Sequence, residues 1–402
     1  MDGARTRGHP AALAAVSAML AVGAPGAVLL VGPAGVGKTT LATDLAAGLL
    51  CSADDPAQRP CGTCRACRLV ARGVHPDVHR LGPEGPGRQV VIGGPGKPRG
   101  VRDLIADLAL LPVEGGARVA IIEAAHRMNE DAQAALLKTL EEPPAGATIV
   151  LCADAEEPLL PTIRSRCARI RLGPVGVRDI EAILADAGAA DPPVAARLAR
   201  ICAGRPGIAL AWAGAPDAVR ERDAIGRGLL DLAPARPADR LSGIRALAAQ
   251  AASIAGLADG TAAPPSSDDA SARGPKRGAR GPSPQPVDAA SSDDDADAEA
   301  GGPARAPAIE RRRAAEALIA LWTDIARDIA LCQRGLERSV RDLALLDDIR
   351  ALADALDPEA LRPFIDRLGR ACVLIAGNAS PELVLDDLAL AWPRPRIGSR
   401  AA

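Results

Sequence analysis

The sequence predicts an α/β fold: a parallel sheet built around a phosphate-binding loop, followed by regions that are helical only. Three observations carry this. Residues 28–31 form an apolar run that leads directly into Gly32-Pro33-Ala34-Gly35-Val36-Gly37-Lys38-Thr39, which fits G-x-x-x-x-G-K-[ST]. Further apolar runs at 118–122, 148–152 and 168–172 alternate with segments of helical periodicity, the arrangement of a parallel sheet. From residue 177 onward only helical patterns continue.

Composition bounds the answer. The 402 residues suit two or three domains of about 150 residues each. Hydrophobic residues make up 48%, enough for a sizeable core. That core must be Ala, Leu, Val and Ile, because aromatics are limited to three Trp and one Phe. The net charge of −2 gives no global basic field, so any nucleic-acid contact must be local. No run reaches the roughly eighteen apolar residues that span a bilayer, and the N-terminus lacks the regions of a signal peptide. A cytoplasmic location without membrane contact is expected. There the nine Cys should be reduced, and clustered ones point to metal.

Residues 1–27 read as a helix opened by His9-Pro10 and closed between Gly23 and Gly26. In the loop that follows, glycines let the backbone curl its amides toward phosphate oxygens. The next helix, over 40–50, adds partial positive charge at its start. Lys38 would reach the outer phosphates and Thr39 would hold Mg²⁺. The candidate nucleotide-binding residues are Gly32, Gly35, Val36, Gly37, Lys38, Thr39 and Thr40, with ATP as the expected ligand.

Cys51, Cys61, Cys64 and Cys67 follow in the spacing C-x9-C-x2-C-x2-C. Four thiolates suit Zn²⁺, and a closed thiolate shell leaves no open position for water, so such a metal is structural; the alternatives are an iron–sulfur cluster or a redox pair, and zinc is favoured in a cytosolic chain with no other cofactor signal. The other cysteines (Cys152, Cys167, Cys202, Cys332 and Cys372) stand singly among apolar residues and read as small core residues. His75-Pro76-Asp77-Val78-His79 leads into a short strand. It reads as structural, since Pro76 breaks any helix and the zinc ligands are already supplied. Residues 82–100 read as a loop, and 101–111 as a helix.

The run 118–122 ends in Glu123-Ala124. Nucleotide hydrolases of this type carry two acidic residues there, one for Mg²⁺ and one that polarises water. Glu123 fills the first place, while Ala124 offers only a methyl group. Asn129 should cap a helix with Glu130 and Asp131 in its first turn, running to about Glu142 before Pro143-Pro144. Residues 158–164 read as a loop and short helix, followed by Ser165-Arg166-Cys167. Residues 177–212 read as a small helical unit interrupted at Gly204-Arg205-Pro206-Gly207. Residues 258–308 are Ser, Asp, Ala, Gly and Pro with a basic block before an acidic one, a composition expected to be a disordered linker. Helical patterns resume over 309–390, including a last helix opened by Asn378.

Several of these features coincide: the phosphate loop with a four-cysteine module directly after it, His75-Pro76-Asp77, the stretch from Asn129 through Leu136-Leu137-Lys138-Thr139-Leu140-Glu141-Glu142-Pro143-Pro144, and Leu160-Pro161-Thr162-Ile163-Arg164-Ser165-Arg166-Cys167. Together they resemble the clamp-loader family of bacterial DNA polymerase III, strongly over residues 1–215 and weakly over the C-terminal helices. The resemblance implies a P-loop AAA+ domain over 1–172 with its zinc module at 51–67. It also implies a helical lid over 173–215, a helical collar over 216–257 plus 309–395, and a linker insert at 258–308.

Two kinds of subunit in that family share these motifs: the gamma/tau ATPase and a largely non-hydrolysing stator. The departures here favour the stator. Ala124 replaces the catalytic acid. The gamma/tau pattern carries a Thr pair, which senses the γ-phosphate, where Ala153-Asp154 stand. It also carries an Arg in G-x-x-R-x-A-L where Gly207 stands in the run 204–210. The His-Pro-Asp run also looks like the stator. In the family, the Arg of S-R-C reaches the ATP of a neighbouring subunit, which makes Arg166 the expected arginine finger in trans. The implied partners are gamma/tau and delta subunits in a hetero-oligomer, the sliding clamp, and primed DNA through the assembled complex. The implied setting is DNA replication, within the polymerase holoenzyme (a nucleotidyltransferase). Two other readings compete: a gamma/tau-type ATPase with Glu123 acting alone, and a zinc protein that binds nucleic acid. The second lacks an aromatic platform for bases beside Arg65 and Arg68.

Overall fold

A computed structural model describes residues 3–83, 89–114, 116–258 and 307–396. The expected linker at 258–308 lies almost wholly outside them. Among the described residues, helix α1 (Pro10–Val22) precedes β1 (Ala27–Val31), and α2 (Lys38–Leu50) begins inside the phosphate loop. The short α3 (Arg65–Ala71) lies in the cysteine module. Then come β2 (Val78–Leu81), α4 (Val101–Leu108), β3 (Arg118–Ile122), α5 (Glu130–Glu141), β4 (Ala147–Ala153), α6 (Pro161–Arg166) and β5 (Ala168–Arg171).

The five strands form one sheet in the order β2-β3-β4-β1-β5, every pairing parallel. The strand at 78–81 joins as the edge, beside the four apolar runs. Its sequence signal is weak, because Val78-His79-Arg80-Leu81 sets two polar residues between apolar ends and only Leu81 of the four is buried. Strands β3 and β4 are buried along their whole length, as both faces of the sheet are covered. Side chains divide by alternation. Val28, Leu30, Val150 and Cys152 pack into the core with α1 and α2. Leu29, Ile149, Leu151 and Ala153 pack into a second core with residues of α4, α5 and α6. This is the parallel α/β sheet that the alternating runs imply.

Helix boundaries follow local chemistry. The Asn129 side chain accepts from the Ala132 N–H at 2.9 Å and caps α5, as expected. Helix α6 extends two residues further than expected, so Ser165 and Arg166 form its last turn and Cys167 ends it. Helix α4 stops at Leu108, leaving Leu110 and Leu111 exposed.

The helical regions comprise α7 (Val177–Asp186), α8 (Pro192–Ile201) and α9 (Pro206–Ala213), then α10 (Pro216–Asp231), α11 (Pro237–Ala258), α12 (Ala308–Cys332), α13 (Leu346–Ala355), α14 (Pro358–Ala376) and α15 (Pro381–Ala391). Helices α11 and α12, which flank the long composition-biased stretch, pack directly on one another, and α12 also touches α13, α14 and α15. Trp322, Phe364 and Trp392 stack with ring centroids 4.6–5.5 Å apart, so three of the four aromatic residues form the centre of this bundle. Arg240 is buried beside them. Its guanidinium donates to the carbonyls of Trp392 (2.6 Å), Ala389 (3.2 Å), Ala235 (3.1 Å) and Ala233, tying α11 to the end of α15.

Two expectations need correction here. Asn378 does not open the last helix. It takes a left-handed conformation (φ 67°) at the end of α14, and α15 begins three residues later, where Pro381 supplies a pre-set first turn. Nor is Cys372 a core residue: it lies exposed beside Val373 and Leu374 on the outer face of α14. Cys152, Cys167 and Cys202 are buried, and Cys332 is half-buried.

Candidate nucleotide site and cysteine centre

The phosphate loop leaves the carboxyl end of β1, the end of an open parallel sheet where ligands collect. Because β3, β4 and β1 lie side by side, Glu123, Asp154 and Gly32 emerge in a row along the same edge. The Gly32 amide donates to Ala153 O at 3.2 Å and fixes the row. Gly35 (φ 75°) and Gly37 (φ 113°) take the left-handed conformations that curl the loop.

Two contacts hold the curl from outside. Gly207 at the start of α9 donates its amide to Gly35 O at 2.8 Å. A Cβ on Gly207 would stand 3.1 Å from that same oxygen, so close seating of the helix depends on glycine here. His9 Nε2 donates to Val36 O at 3.0 Å. Gly32, Gly35, Val36, Gly37, Lys38, Thr39 and Thr40 are thus brought together, and six of them line a cavity of about 550 Å³ with Thr6, Ile183 and Leu210. Arg5 and Arg7 add positive charge to its wall. Sequence reasoning missed this N-terminal contribution. The segment is placed by Asp44, which is buried and accepts from the amides of Arg5 and Thr6 and from Thr6 Oγ1 at 2.6 Å. No motif marks that carboxylate; an acid inside an Ala/Leu-rich helix is the only trace of it.

Lys38 and Glu123 are already paired. Lys38 is 8% exposed and its ammonium donates to Gly32 O (2.6 Å), Pro33 O (2.8 Å) and Asp154 Oδ1 (2.7 Å). His126 Nδ1 accepts the Asp154 amide at 3.1 Å, so its proton sits on Nε2, facing Asp154 Oδ2 at 3.5 Å. Burial lowers the pKa of His126 and favours this neutral ring. Glu123 Oε1 lies 3.2 Å from Arg80 Nη1, and Arg80 Nη2 donates to Thr43 Oγ1 at 2.7 Å. Ala124, at φ 51°, brings no carboxylate. The loop and cavity fit a nucleotide's phosphates, but the expected Mg²⁺ place beside Glu123 faces a guanidinium.

The four cysteines of the module converge, with all four sulfur atoms within 4.8 Å of one another. Amides point at the sulfurs in succession: Cys61 N to Cys51 Sγ (3.4 Å), Cys64 N to Cys61 Sγ (3.3 Å) and Cys67 N to Cys64 Sγ (3.4 Å). Such N–H donors stabilise thiolate, and those from Cys64 and Thr63 lower the Cys61 thiol to about 6. Burial pushes Cys51 and Cys67 the other way, which leaves a bare cluster of four thiols poorly matched to its surroundings. The donor set fits one tetrahedral metal ion.

Asp77 of the His-Pro-Asp run is wholly buried and accepts the amides of Val113 (2.7 Å) and Glu114 (2.9 Å), so the motif staples a loop, as expected. Arg166 is 35% exposed at the end of α6. Its Nη1 donates to Thr162 O (3.0 Å) and its Nη2 lies 2.6 Å from Glu141 Oε1 on α5. The acidic partner is 25 residues away in sequence, which is why a reading of the neighbouring residues finds none.

Comparison with known proteins agrees with this architecture. Residues 9–176 match the family model described as DNA polymerase III, delta subunit. The chain is 42% identical over 148 residues to DNA polymerase III subunit delta' of Pseudomonas aeruginosa, a stretch covering 36% of this chain and 42% of that protein. It is 35% identical over 185 residues to the delta' subunit of Escherichia coli, covering 46% and 53% respectively. The tau subunit of Escherichia coli also matches, at 34% identity over 154 residues, or 38% of this chain and 22% of that protein. The chain thus spans about half or less of the length of these curated relatives. Over residues 9–176 the chain is thus similar to the DNA polymerase III delta-subunit family, and delta' subunits are among its relatives.

Proposed function

We propose that the chain acts as a clamp-loader subunit of the delta-prime type in DNA replication. In this reading it assembles with gamma/tau and delta subunits, helps load the sliding clamp onto primed DNA, and hydrolyses little or no ATP itself. One observation carries the reading. Arg166 stands half-exposed at the tip of α6, on a domain whose own site has Ala124 in place of the water-activating acid. A guanidinium so placed serves a neighbour's phosphates, because its planar fork grips them and offsets developing charge. The match of residues 9–176 to the DNA polymerase III delta-subunit family model and the likeness to delta' subunits support it. The parts are an AAA+ domain (1–172), a lid (173–215) and a collar (216–257 with 309–395). Cys51, Cys61, Cys64 and Cys67 hold structural Zn²⁺. With no described helix long and apolar enough to cross a membrane, a cytoplasmic place fits.

The test is reconstitution with gamma/tau, delta, clamp and primed DNA. Arg166→Ala should leave assembly and zinc content unchanged and lower DNA-stimulated ATP turnover and clamp loading. A finger at a lone site is worth roughly 10³–10⁵ in rate, and in a ring with several sites the loss should be smaller. Arg166→Lys should rescue poorly. Loading at the wild-type rate by Arg166→Ala would leave Arg166 as a helix cap and remove the reading's support.

A further inference from the structure

A site for Mg²⁺ and a nucleoside triphosphate needs two free charges: an ammonium for the outer phosphates and a carboxylate for the metal. In this chain neither is free. An ammonium has three protons to donate, and Lys38 spends all three, on Gly32 O, Pro33 O and Asp154 Oδ1. Asp154 is no loose surface acid, since His126 holds it through both its backbone amide and its second carboxylate oxygen.

Glu123 is answered in the same way. Arg80 projects from β2 onto the α2 side of the sheet. There it meets Glu123 Oε1 and Thr43 Oγ1, and Thr43 in turn donates to Thr39 O at 2.7 Å. Arg80 thus lies beside the very residues, Thr39 and Glu123, expected to hold the metal. With Arg5, Arg72, Thr39 and Thr40 it lines a second cavity of about 400 Å³ that adjoins the loop.

We propose that Asp154 and Arg80 stand, as fixed charges, where a γ-phosphate and Mg²⁺ would sit, so that the site takes a nucleoside diphosphate without a divalent cation and discriminates against the triphosphate. The proposal rests on the nucleotide-binding reading of the loop. A β-phosphate can use the curled amides and the N-terminus of α2, together with Lys38 once it gives up a carbonyl. A γ-phosphate must displace the Asp154 carboxylate or lie against it, and like charges a few ångströms apart in a partly buried site repel strongly. A divalent cation meets the same obstacle at Arg80.

Calorimetric titration of the full chain decides this, with ADP and ATP each measured in Mg²⁺ and in EDTA. Wild type should bind ADP equally well, within about twofold, with or without Mg²⁺, and ATP at least about tenfold more weakly. Asp154→Asn, or Asp154→Ser should the amide disturb His126, should strengthen ATP about tenfold while moving ADP less than about threefold. Arg80→Gln should make binding depend on Mg²⁺. Tighter binding of ATP than ADP by wild type, loss of ADP binding in EDTA, or an unchanged ATP-to-ADP ratio in both Asp154 variants would each overturn the proposal. So would absence of binding of either nucleotide by wild type. The Arg166 reconstitution is read without reference to this site, so the clamp-loader reading stands or falls separately.

Discussion

Arg166 and Glu141 face each other across the α5–α6 junction with 2.6 Å between Nη2 and Oε1. Both side chains reach solvent, so the pair contributes about 0–1 kcal/mol and can be exchanged for a better partner. A trans finger must make that exchange when a neighbour's phosphates arrive. Glu141→Gln should therefore keep assembly intact and leave ATP turnover of the reconstituted complex equal to wild type or raised by up to about fivefold. The double variant Glu141→Gln/Arg166→Ala should behave as Arg166→Ala alone. A loss of turnover in Glu141→Gln as deep as in Arg166→Ala would mean that the pair itself is the functional unit.

Zinc should be present at one ion per chain. Cobalt substitution should give the visible bands of tetrahedral thiolate coordination, and Cys64→Ser should weaken them. Because Cys51 closes α2 and Cys67 Sγ approaches Ala47 O, chelation should expose residues 51–72 to protease before the sheet unfolds. Protease resistance unchanged by chelation would argue against a structural metal.

The isolated chain should show no steady ATP turnover above background, and Lys38→Ala should change nothing in that assay. Ala124 has no proton acceptor, and Lys38 is engaged by Asp154. Turnover that Lys38→Ala abolishes would promote the gamma/tau-type reading.

Arg240→Leu should be among the more damaging single changes. It strands buried carbonyls of Ala233, Ala389 and Trp392. A loss of roughly 3 kcal/mol is expected in denaturant unfolding of the C-terminal helices. A shift below about 1 kcal/mol would show that water replaces the guanidinium.

Stability should fall as pH drops below about 6.5. Burial depresses the pKa of both His79 and His126 beneath their ordinary value of 6.5, so the unfolded chain takes up protons first. The contribution is fully present above the unfolded value and is lost as pH falls toward the folded ones. His126→Asn should flatten the fall measured by thermal unfolding between pH 7 and 5.5, and an unchanged slope would remove His126 from the account.

What the sequence determined by itself is local chemistry at fixed spacing. The phosphate loop after an apolar strand, the four cysteines at x9, x2 and x2, the Asn129 cap and the apolar runs of the inner strands all depend on near neighbours, so the chain displays them directly. The absence of a catalytic acid at Ala124 is visible in the same way. Tertiary structure alone decided which charges meet. Lys38 and Asp154 are 116 residues apart, and Arg80 and Glu123 are 43 apart; parallel strands set side by side bring their carboxyl ends together whatever the separation along the chain. The same holds for Glu141 beside Arg166 and for Arg240 beneath Trp392. Periodicity and spacing carry no record of such pairings, because an ion pair between separate elements is specified by their packing, and packing is settled by the apolar faces that surround it.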